Sequence, residues 1–248
     1  MSYDGKRNIR VFPSQQALAD AAAKDFQIAA CQAHAAGKNF SAALSGGNTP
    51  KILFERLALP EVSVSIPWDI AHLFWGDERC VPPDHLHSNF AMTRRTLLER
   101  IPIPPENIHR IRGEAHPEAE ASRYADEIAN FLGSDGAPRF DLILLGLGSD
   151  GHTASIFPDA VIWEEPTGVC CVAAHPETGQ KRISLTLKTI NSAAQAIFLV
   201  TGSSKADVAA NILNRSPGHE KYPAAQVKLE SGSLNWYMDQ DAAGVWRP

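Results

Sequence analysis

The sequence predicts a three-layer α/β/α, Rossmann-like fold with a mostly parallel sheet. Short apolar runs, typical of buried strands, alternate along the chain with longer segments that have helical character. Several of the apolar runs end in turns rich in glycine and polar residues, and strands that alternate with helices are typical of a parallel sheet. No repeat, low-complexity segment or linker interrupts the pattern. We therefore expect a single α/β domain over residues 1–248.

Composition narrows the class of protein. The chain has 248 residues, of which 44% are hydrophobic, and this is enough for a sizeable core. Its formal net charge is −5, without a basic or acidic block, so we expect no nucleic-acid partner. The N-terminal segment lacks the apolar core of a signal peptide, and no run approaches the roughly 20 apolar residues of a membrane span. We therefore expect a cytoplasmic protein that does not bind membranes.

The four cysteines also indicate a cytoplasmic protein. None of the four has the spacing of metal ligands, so we interpret them as reduced thiols and expect no metal site. They are Cys31, Cys80, Cys170 and Cys171.

The alternation of elements can be followed along the chain. Ser14 is a suitable N-cap for a long alanine-rich helix, and Gly37 suits the position after its end. Pro50 is well placed as the first residue of the second helix, because proline has no N–H to satisfy there. The predicted helices cover residues 15–36, 50–59, 89–100, 117–132 and 206–213. The predicted strands cover residues 40–44, 70–75, 108–111, 140–145, 169–174, 182–187, 196–200 and 234–237, after a short apolar start at 9–13.

Four of the predicted strands end in turns rich in glycine and polar residues. These turns cover residues 45–49, 76–79, 146–152 and 201–205. The carboxyl ends of parallel strands lie along one edge of a sheet, and ligands of open α/β sheets bind at that edge. We therefore expect the four turns to converge on one site, although they are far apart in the sequence.

The first of these turns has the composition of an anion cradle. It consists of Ser45, Gly46, Gly47, Asn48 and Thr49, directly before a predicted helix. Successive N–H groups, two hydroxyls and the helix dipole would all favour a negatively charged group. The turn lacks the Gly-Lys-Ser/Thr ending of a P-loop. The alternative is an ordinary connection between a strand and a helix.

Cations at the same edge favour the phosphate interpretation. Lys205 lies at the start of another predicted helix, and Arg79 lies in the turn after a strand. The alternative for the run Asp77, Glu78 and Arg79 is a solvated charged surface. Arg182, at the head of its strand, is a weaker candidate, because a surface arginine is the ordinary expectation there.

The third turn presents a carboxylate and an imidazole in a glycine-rich context. Asp150 and His152 lie in the turn that follows the apolar run at residues 140–145, which we interpret as a buried strand. An imidazole that titrates near neutral pH suits general acid–base catalysis, whereas the alternative is a histidine with a structural role.

The same turn matches the Gly-x-Gly-x-x-Gly fingerprint of dinucleotide-binding folds. The match is formed by Gly146, Gly148 and Gly151. That fingerprint should open a long helix, and Pro158 follows too soon for one. We therefore treat dinucleotide binding as the weaker alternative.

Together these motifs carry a resemblance that spans roughly residues 40–210. They are Ser45-Gly46-Gly47-Asn48-Thr49-Pro50, Trp75-Gly76-Asp77-Glu78-Arg79, Ser88-Asn89, the run from Gly146 to Pro158, and Gly202-x-x-Lys205. In this order they resemble the motifs of the 6-phosphogluconolactonases, which share a fold with the glucosamine-6-phosphate deaminases. The resemblance to a deaminase would require a glutamate five residues after the histidine, where this chain has Phe157, and another residue in place of Arg79. Both departures favour the lactonase.

The resemblance implies hydrolysis of 6-phospho-D-glucono-1,5-lactone, the second step of the oxidative pentose phosphate pathway, with no metal or organic cofactor. It implies a small sugar phosphate as the partner, with the chain a monomer or a homodimer. His152 would act as the general base and Asp150 would orient it. Arg79 would either stabilise the oxyanion or bind phosphate. The phosphate would be held by residues 45–49 and Lys205, with Arg182 as a further candidate.

Two other functions compete with the lactonase. A sugar-phosphate isomerase or deaminase would release ammonia from an amino-sugar phosphate. A non-catalytic sugar-phosphate sensor would retain the fold while tolerating the loss of the acid–base residue. The intact sequence Asp150-Gly151-His152 argues against the sensor.

Overall fold

The computed structural model describes residues 7–133, 137–158, 168–244 and 246. Residues 1–6, which contain most of the N-terminal segment considered for a signal peptide, lie outside the described residues. The strands are β1 (Arg7–Phe12), β2 (Phe40–Leu44), β3 (Ala71–Trp75), β4 (Asp77–Arg79), β5 (Ile108–His109), β6 (Leu142–Leu145), β7 (Cys170–Ala174), β8 (Lys181–Leu185), β9 (Gln195–Val200) and β10 (Ser233–Asp239). The α-helices are α1 (Gln15–Ala35), α2 (Asn48–Leu57), α3 (Pro60–Ser63), α4 (Asn89–Thr96), α5 (Pro117–Leu132), α6 (Leu187–Asn191), α7 (Ala206–Leu213) and α8 (Gln240–Ala243).

Seven strands form the central sheet, in the order β1-β10-β9-β6-β2-β3-β5. Every neighbouring pair in this sheet is parallel, which confirms the predicted fold class. From β2 the chain continues to β3 and β5 on one side, whereas β6, β9 and β10 extend the sheet on the other side. The strand order therefore reverses between β2 and β6. In open α/β sheets this reversal leaves a crevice at the carboxyl ends of the two strands.

Helices cover both faces of the sheet. Phe26 of α1 packs edge-on against Phe40 of β2, with ring centroids 5.1 Å apart. Phe131 of α5 packs against His72 of β3 at 4.2 Å. Phe40 is paired with Ala71, the residue before His72, so the side chains of Phe40 and His72 point to opposite faces. The arrangement has three layers, and it explains why β2 and β6 are buried along their whole length.

The second helix begins earlier than predicted. It starts at Asn48 rather than Pro50, because Gly47 adopts φ +104° and turns the chain into the helix two residues sooner. Pro50 is thus the third helical residue. A backbone N–H at this position would have no intrahelical acceptor, so the helix loses no hydrogen bond to proline there. The helix predicted over residues 89–100 also differs: α4 ends at Thr96, and a separate 3₁₀ turn covers Leu98–Arg100.

A second, small sheet was not predicted. It contains β4, β8 and β7 in that order, with antiparallel pairing throughout. Residues 76–79 were predicted as a turn, but after Gly76 the chain re-enters an extended conformation as β4. The short helices α3, α6 and α8 were not predicted either. None of the helices in the described ranges combines the length and apolarity that a membrane span requires.

The end of β3 depends on one buried tyrosine. The hydroxyl of Tyr124, on α5, accepts a hydrogen bond from the Trp75 N–H (2.7 Å) and donates one to the Trp75 carbonyl (3.0 Å). The neighbouring strand β5 pairs with β3 only as far as Phe74, so the hydroxyl takes the place of the next ladder residue. The segment at residues 76–79, which follows Trp75, therefore starts from a fixed backbone position.

We expect Tyr124→Phe to lower the free energy of unfolding by about 2 kcal/mol, because it leaves the buried Trp75 N–H and C=O without a partner. Urea unfolding followed by circular dichroism measures the change. Tyr237→Phe is the matched control: its hydroxyl contacts Arg10 and Asp25, which are partly exposed and lie close enough to pair with each other. A loss for Tyr124→Phe no larger than that for the control would contradict this role.

Candidate active site

The four turns expected to converge do so around one cavity of about 450 Å³. They follow β9, β6, β2 and β3, which are consecutive in the central sheet and include the reversal of strand order. Every residue proposed from the sequence for the site lines this cavity except Asp150, whose carboxylate hydrogen-bonds to the lining residue His152. Among the described residues, no group of His, Cys, Asp and Glu side chains is arranged to hold a metal ion.

The turn at residues 45–49 forms one wall of the cavity. It leads into α2, and no side chain of the described residues caps the first N–H groups of that helix. Those N–H groups have no intrahelical acceptor and carry the positive end of the helix dipole. The Thr49 hydroxyl lies 2.6 Å from the Thr201 hydroxyl, which ties this turn to the one after β9. The wall is suited to an anionic group.

Two arginines from the small sheet form a second wall. Arg79 of β4 and Arg182 of β8 are directly paired across the two strands. One terminal nitrogen of Arg79 donates to the His87 carbonyl (2.6 Å). The Nε atoms of both arginines are buried and have no hydrogen-bond partner in the described part of the chain. Two buried, unsatisfied cationic donors side by side favour an anion as their ligand.

Burial shifts the pKa of two of the cations at the cavity, Arg182 and Lys205. Burial, reinforced by the nearby charge of Arg79, lowers the pKa of Arg182. Burial also lowers the pKa of Lys205, while the charge of Asp150 opposes that shift. Lys205 lies just before α7 and lines the cavity from the turn after β9. A bound anion would offset the cost of burying Arg182 and Lys205.

Asp150 and His152 form a hydrogen-bonded pair. The His152 Nδ1 lies 2.6 Å from Asp150 Oδ1, and the His152 backbone N–H donates to the same oxygen at 3.2 Å. Burial raises the pKa of the Asp150 carboxyl, but the hydrogen bond and charge of His152 outweigh it and lower the pKa to about 2. The ionised carboxylate accepts from Nδ1–H, so Nε2 is the ring nitrogen left for a ligand or water.

Steric constraints explain why glycine occupies two positions of this turn. A Cβ atom at Gly148 would lie 2.1 Å from the His152 Nδ1 and 2.4 Å from the Asp150 Oδ1. Gly151 adopts φ +86°, and its added Cβ would collide with the Tyr222 ring at 2.3 Å. The glycines thus let the Asp–His pair fold back over the turn. They do not open a dinucleotide-binding helix, because no helix forms between residues 146 and 158.

Phe157 occupies the position where the resemblance to a deaminase would require a glutamate. It is 2% exposed, and its ring centroid lies 4.8 Å from that of His152. The Arg182 guanidinium carbon lies 5.5 Å from the same ring. An apolar ring therefore packs beside both the imidazole and a cation, and a carboxylate is absent from this position.

Sequence reasoning missed several polar residues of the site. Asp77 and Glu78 are 5% and 2% exposed, so the interpretation of this run as a solvated surface is wrong. Glu78 accepts from the Ser88 hydroxyl and from the N–H groups of Arg79, Asn89 and Phe90. Burial raises the pKa of Glu78, and these hydrogen bonds partly oppose the shift.

Further residues that line the cavity were not proposed for the site, among them Asn89 and Gln15. Asn89 appeared only as part of a motif of the resemblance, and Gln15 of α1 lines the cavity without any local sequence feature that indicates it. The signal for Asn89 was its position beside Ser88, the N-cap of α4, which brings it close to the buried Glu78.

The fold and the cavity define a doubly wound α/β protein with an anion-attracting site at its switch point. A model of the family "glucosamine-6-phosphate isomerases/6-phosphogluconolactonase" matches residues 13–236. The chain therefore belongs to this family, and the resemblance predicted from the motifs is confirmed.

Individual relatives are similar over nearly their whole length. The 6-phosphogluconolactonase of Haemophilus influenzae is 41% identical over 231 residues, which are 93% of this chain and 96% of that protein. The human 6-phosphogluconolactonase is 37% identical over 239 residues, 95% of this chain and 92% of that protein. The solved structure of the Trypanosoma brucei 6-phosphogluconolactonase superimposes with a TM-score of 0.86 at 30% identity, covering 97% and 99% of the two chains.

We expect the Asp150 carboxyl to titrate with a pKa of about 2 and to have a higher pKa in His152→Ala. The variant loses the side-chain hydrogen bond and the charge of His152, whereas the backbone hydrogen bonds to the carboxylate remain. Carbon-13 NMR of the Asp150 carboxyl measures both values. Because the folded pKa lies below the unfolded one, the pair stabilises the fold fully above about pH 4, and this stability is lost as pH falls through 2. An Asp150 pKa that is the same in both proteins would contradict this pairing.

Proposed function

We propose that this protein hydrolyses 6-phospho-D-glucono-1,5-lactone to 6-phosphogluconate, the second step of the oxidative pentose phosphate pathway. The observation that carries the proposal is the combination, in one cavity, of an anion-binding wall and an imidazole oriented by a carboxylate. Membership of the family, and relatives named 6-phosphogluconolactonase that are similar over most of the chain, support the same activity.

The phosphate of the substrate binds at the wall formed by residues 45–49. The N–H groups at the start of α2 and the Thr49 hydroxyl donate to its oxygens, and Lys205 and Arg182 supply positive charge. This anchoring fixes the ring of the lactone in front of His152. Positioning of this kind removes much of the entropic cost of bringing water and ester together.

His152 acts as the general base. Its Nε2 takes a proton from a water molecule as the water oxygen forms a bond to the lactone carbonyl carbon, and the carbonyl electron pair moves to oxygen. Asp150 stabilises the imidazolium that results. When the tetrahedral intermediate collapses, the bond between the carbonyl carbon and the ring oxygen breaks, and His152 returns the proton to that oxygen. The products are an open-chain carboxylic acid and the original neutral imidazole.

Positive charge stabilises the oxyanion of the intermediate. Arg79 is the side chain proposed for this step, together with backbone N–H groups of the glycine-rich turn. The buried Nε of Arg79 lacks a partner among the described residues, so a developing negative charge would satisfy it. Should Arg79 bind phosphate instead, its replacement will raise KM rather than lower kcat, and the two kinetic constants distinguish these roles.

The isomerase and deaminase branch of the family is the competing assignment. Phe157 counts against it, because an apolar ring beside His152 offers no carboxylate for a second proton transfer. A sensor without catalysis would gain nothing from a carboxylate hydrogen-bonded to the imidazole. The lactonase is therefore the function that this geometry supports best.

We expect His152→Asn to lower kcat for freshly generated 6-phosphogluconolactone by about 10²- to 10⁴-fold, because the reaction loses its general base. Lactone loss is followed by stopped-flow pH indicator, with the spontaneous rate subtracted. His34→Asn, an exposed histidine in the last turn of α1, is the matched control and should keep wild-type activity. Unchanged turnover in His152→Asn, with circular dichroism like that of wild type, would refute the catalytic role.

A further inference from the structure

Four polar side chains form a buried group at the cavity, here called the Asp77 cluster: Asp77, Asn89, Ser155 and Ser184. Their exposed fractions are 5%, 2%, 0% and 0%. They come from β4, the start of α4, the segment after His152, and β8. Burying a carboxylate at such a place is costly unless donors surround it, so a specific arrangement of partners is required.

One oxygen of Asp77 holds the segment that carries His152. The Ser155 hydroxyl donates to Asp77 Oδ2 at 2.6 Å, and the Ser155 N–H donates to the Ser184 hydroxyl at 3.1 Å. On the other side of Ala154, the Thr153 hydroxyl donates to the Gly146 carbonyl at 2.9 Å. The segment is thus anchored at two points, one of which is the Asp77 carboxylate.

Ala154, between the two anchor points, has an unfavourable backbone conformation that these anchors maintain. Ala154 adopts φ +49°, a left-handed conformation that costs a residue with a Cβ atom free energy. It lines the cavity, two residues after His152. Such a conformation persists where its neighbours are fixed, and here the fixed neighbours are Thr153 and Ser155.

The other side of Asp77 contacts the turn at residues 45–49, here called the phosphate turn because the proposed function places the substrate phosphate there. The Asn89 side-chain N–H₂ group donates to the Asp77 carbonyl (2.8 Å) and to Asp77 Oδ1 (3.3 Å). This orientation directs the Asn89 Oδ1 towards Gly46, where an added Cβ would lie only 1.9 Å from it. The amide of Asn89 therefore packs directly on the backbone of the turn at residues 45–49.

We infer that Asp77 is a positioning residue that fixes the distance between the His152 segment and the phosphate turn. A lactone anchored by its phosphate must present its carbonyl at the His152 Nε2, and misplacement by about 1 Å costs an enzyme on the order of 10²-fold in rate. One residue contacts both ends of this distance: the Asp77 carboxylate binds Ser155 on one side, and the Asp77 carbonyl and carboxylate bind Asn89 on the other. The catalytic consequence rests on the proposed function, whereas the two structural couplings do not.

Three variants separate the two couplings. We expect Ser155→Ala to shift the His152 imidazole resonances and to lower kcat about 10- to 100-fold, with little change in the affinity for inorganic phosphate. Asn89→Ala should weaken phosphate binding about 5- to 10-fold, as the loss of one well-placed packing and hydrogen-bonding contact does, and leave the His152 resonances in place. Asp77→Asn should change both. The measurements are NMR of ¹³C-labelled histidine, calorimetric titration with inorganic phosphate, and lactonase kinetics.

Two variants distant from the cavity control for the general effect of removing a buried polar group. Ser192→Ala removes a hydroxyl bonded to the Pro138 carbonyl, and Asn107→Ala removes an amide bonded to the Asp69 carbonyl. Both should lower stability without moving the His152 resonances or the phosphate affinity. Such variants identify changes that come from destabilisation alone.

The results of these experiments test the positioning role and the proposed function separately. The inference is overturned if Ser155→Ala and Asn89→Ala, folded by circular dichroism, each change both readouts or neither. This comparison decides the question even if Asp77→Asn does not fold. A wild-type protein that does not hydrolyse the lactone would refute the proposed function, while the resonances and phosphate affinities would still support or overturn the positioning role.

Discussion

The reversal of strand order between β2 and β6 is the constraint on which the site depends. Two parallel strands that lie side by side but send the chain in opposite directions leave an open crevice at their carboxyl ends. The phosphate turn leaves β2 and the His152 turn leaves β6, so both reach this crevice from adjacent strands. The flanking strands β3 and β9 bring their own turns to the same place. Fold topology thus brings together residues that are far apart in the chain.

The electrostatics of the cavity follow from this convergence. Arg79, Arg182 and Lys205 come from three different elements, and burial lowers the pKa of Arg182 and of Lys205. The Asp150 carboxylate is hydrogen-bonded to His152, and this interaction lowers the pKa of Asp150. The Nε atoms of Arg79 and Arg182 have no hydrogen-bond partner among the described residues, so the cavity offers unsatisfied donors to an anionic ligand. Under the proposed function, a phosphorylated substrate would accept from these donors and leave the imidazole free for proton transfer.

The sequence predicted well those secondary-structure elements that are determined by residues close together in the chain. The helix Pro117–Leu132 was predicted with its observed bounds, and the acidic residues expected early in it, Glu118 and Glu120, lie in its first turn. The convergence of the four turns was predictable as well, because a parallel sheet has only one carboxyl edge.

What sequence reasoning missed depends on partners distant in the chain. The strand β4 exists because Asp77 pairs with Ser184 of β8, and nothing in the sequence near Asp77 indicates this pairing. Whether Asp77 and Glu78 are solvated or buried is likewise decided by donors elsewhere, among them Ser88, Asn89 and Ser155. The first helical residue of α2 depends on the conformation of Gly47, which proline statistics alone do not give.

The central claim is that a phosphate anchor and a general base act on one substrate. The most direct test compares kcat/KM of the wild-type protein for freshly generated 6-phosphogluconolactone and for the unphosphorylated lactone, each with its spontaneous rate subtracted. We expect a strong preference for the phosphorylated lactone, and we expect Lys205→Ala to remove most of this preference by raising KM. Equal use of the two lactones by the wild-type protein would contradict it.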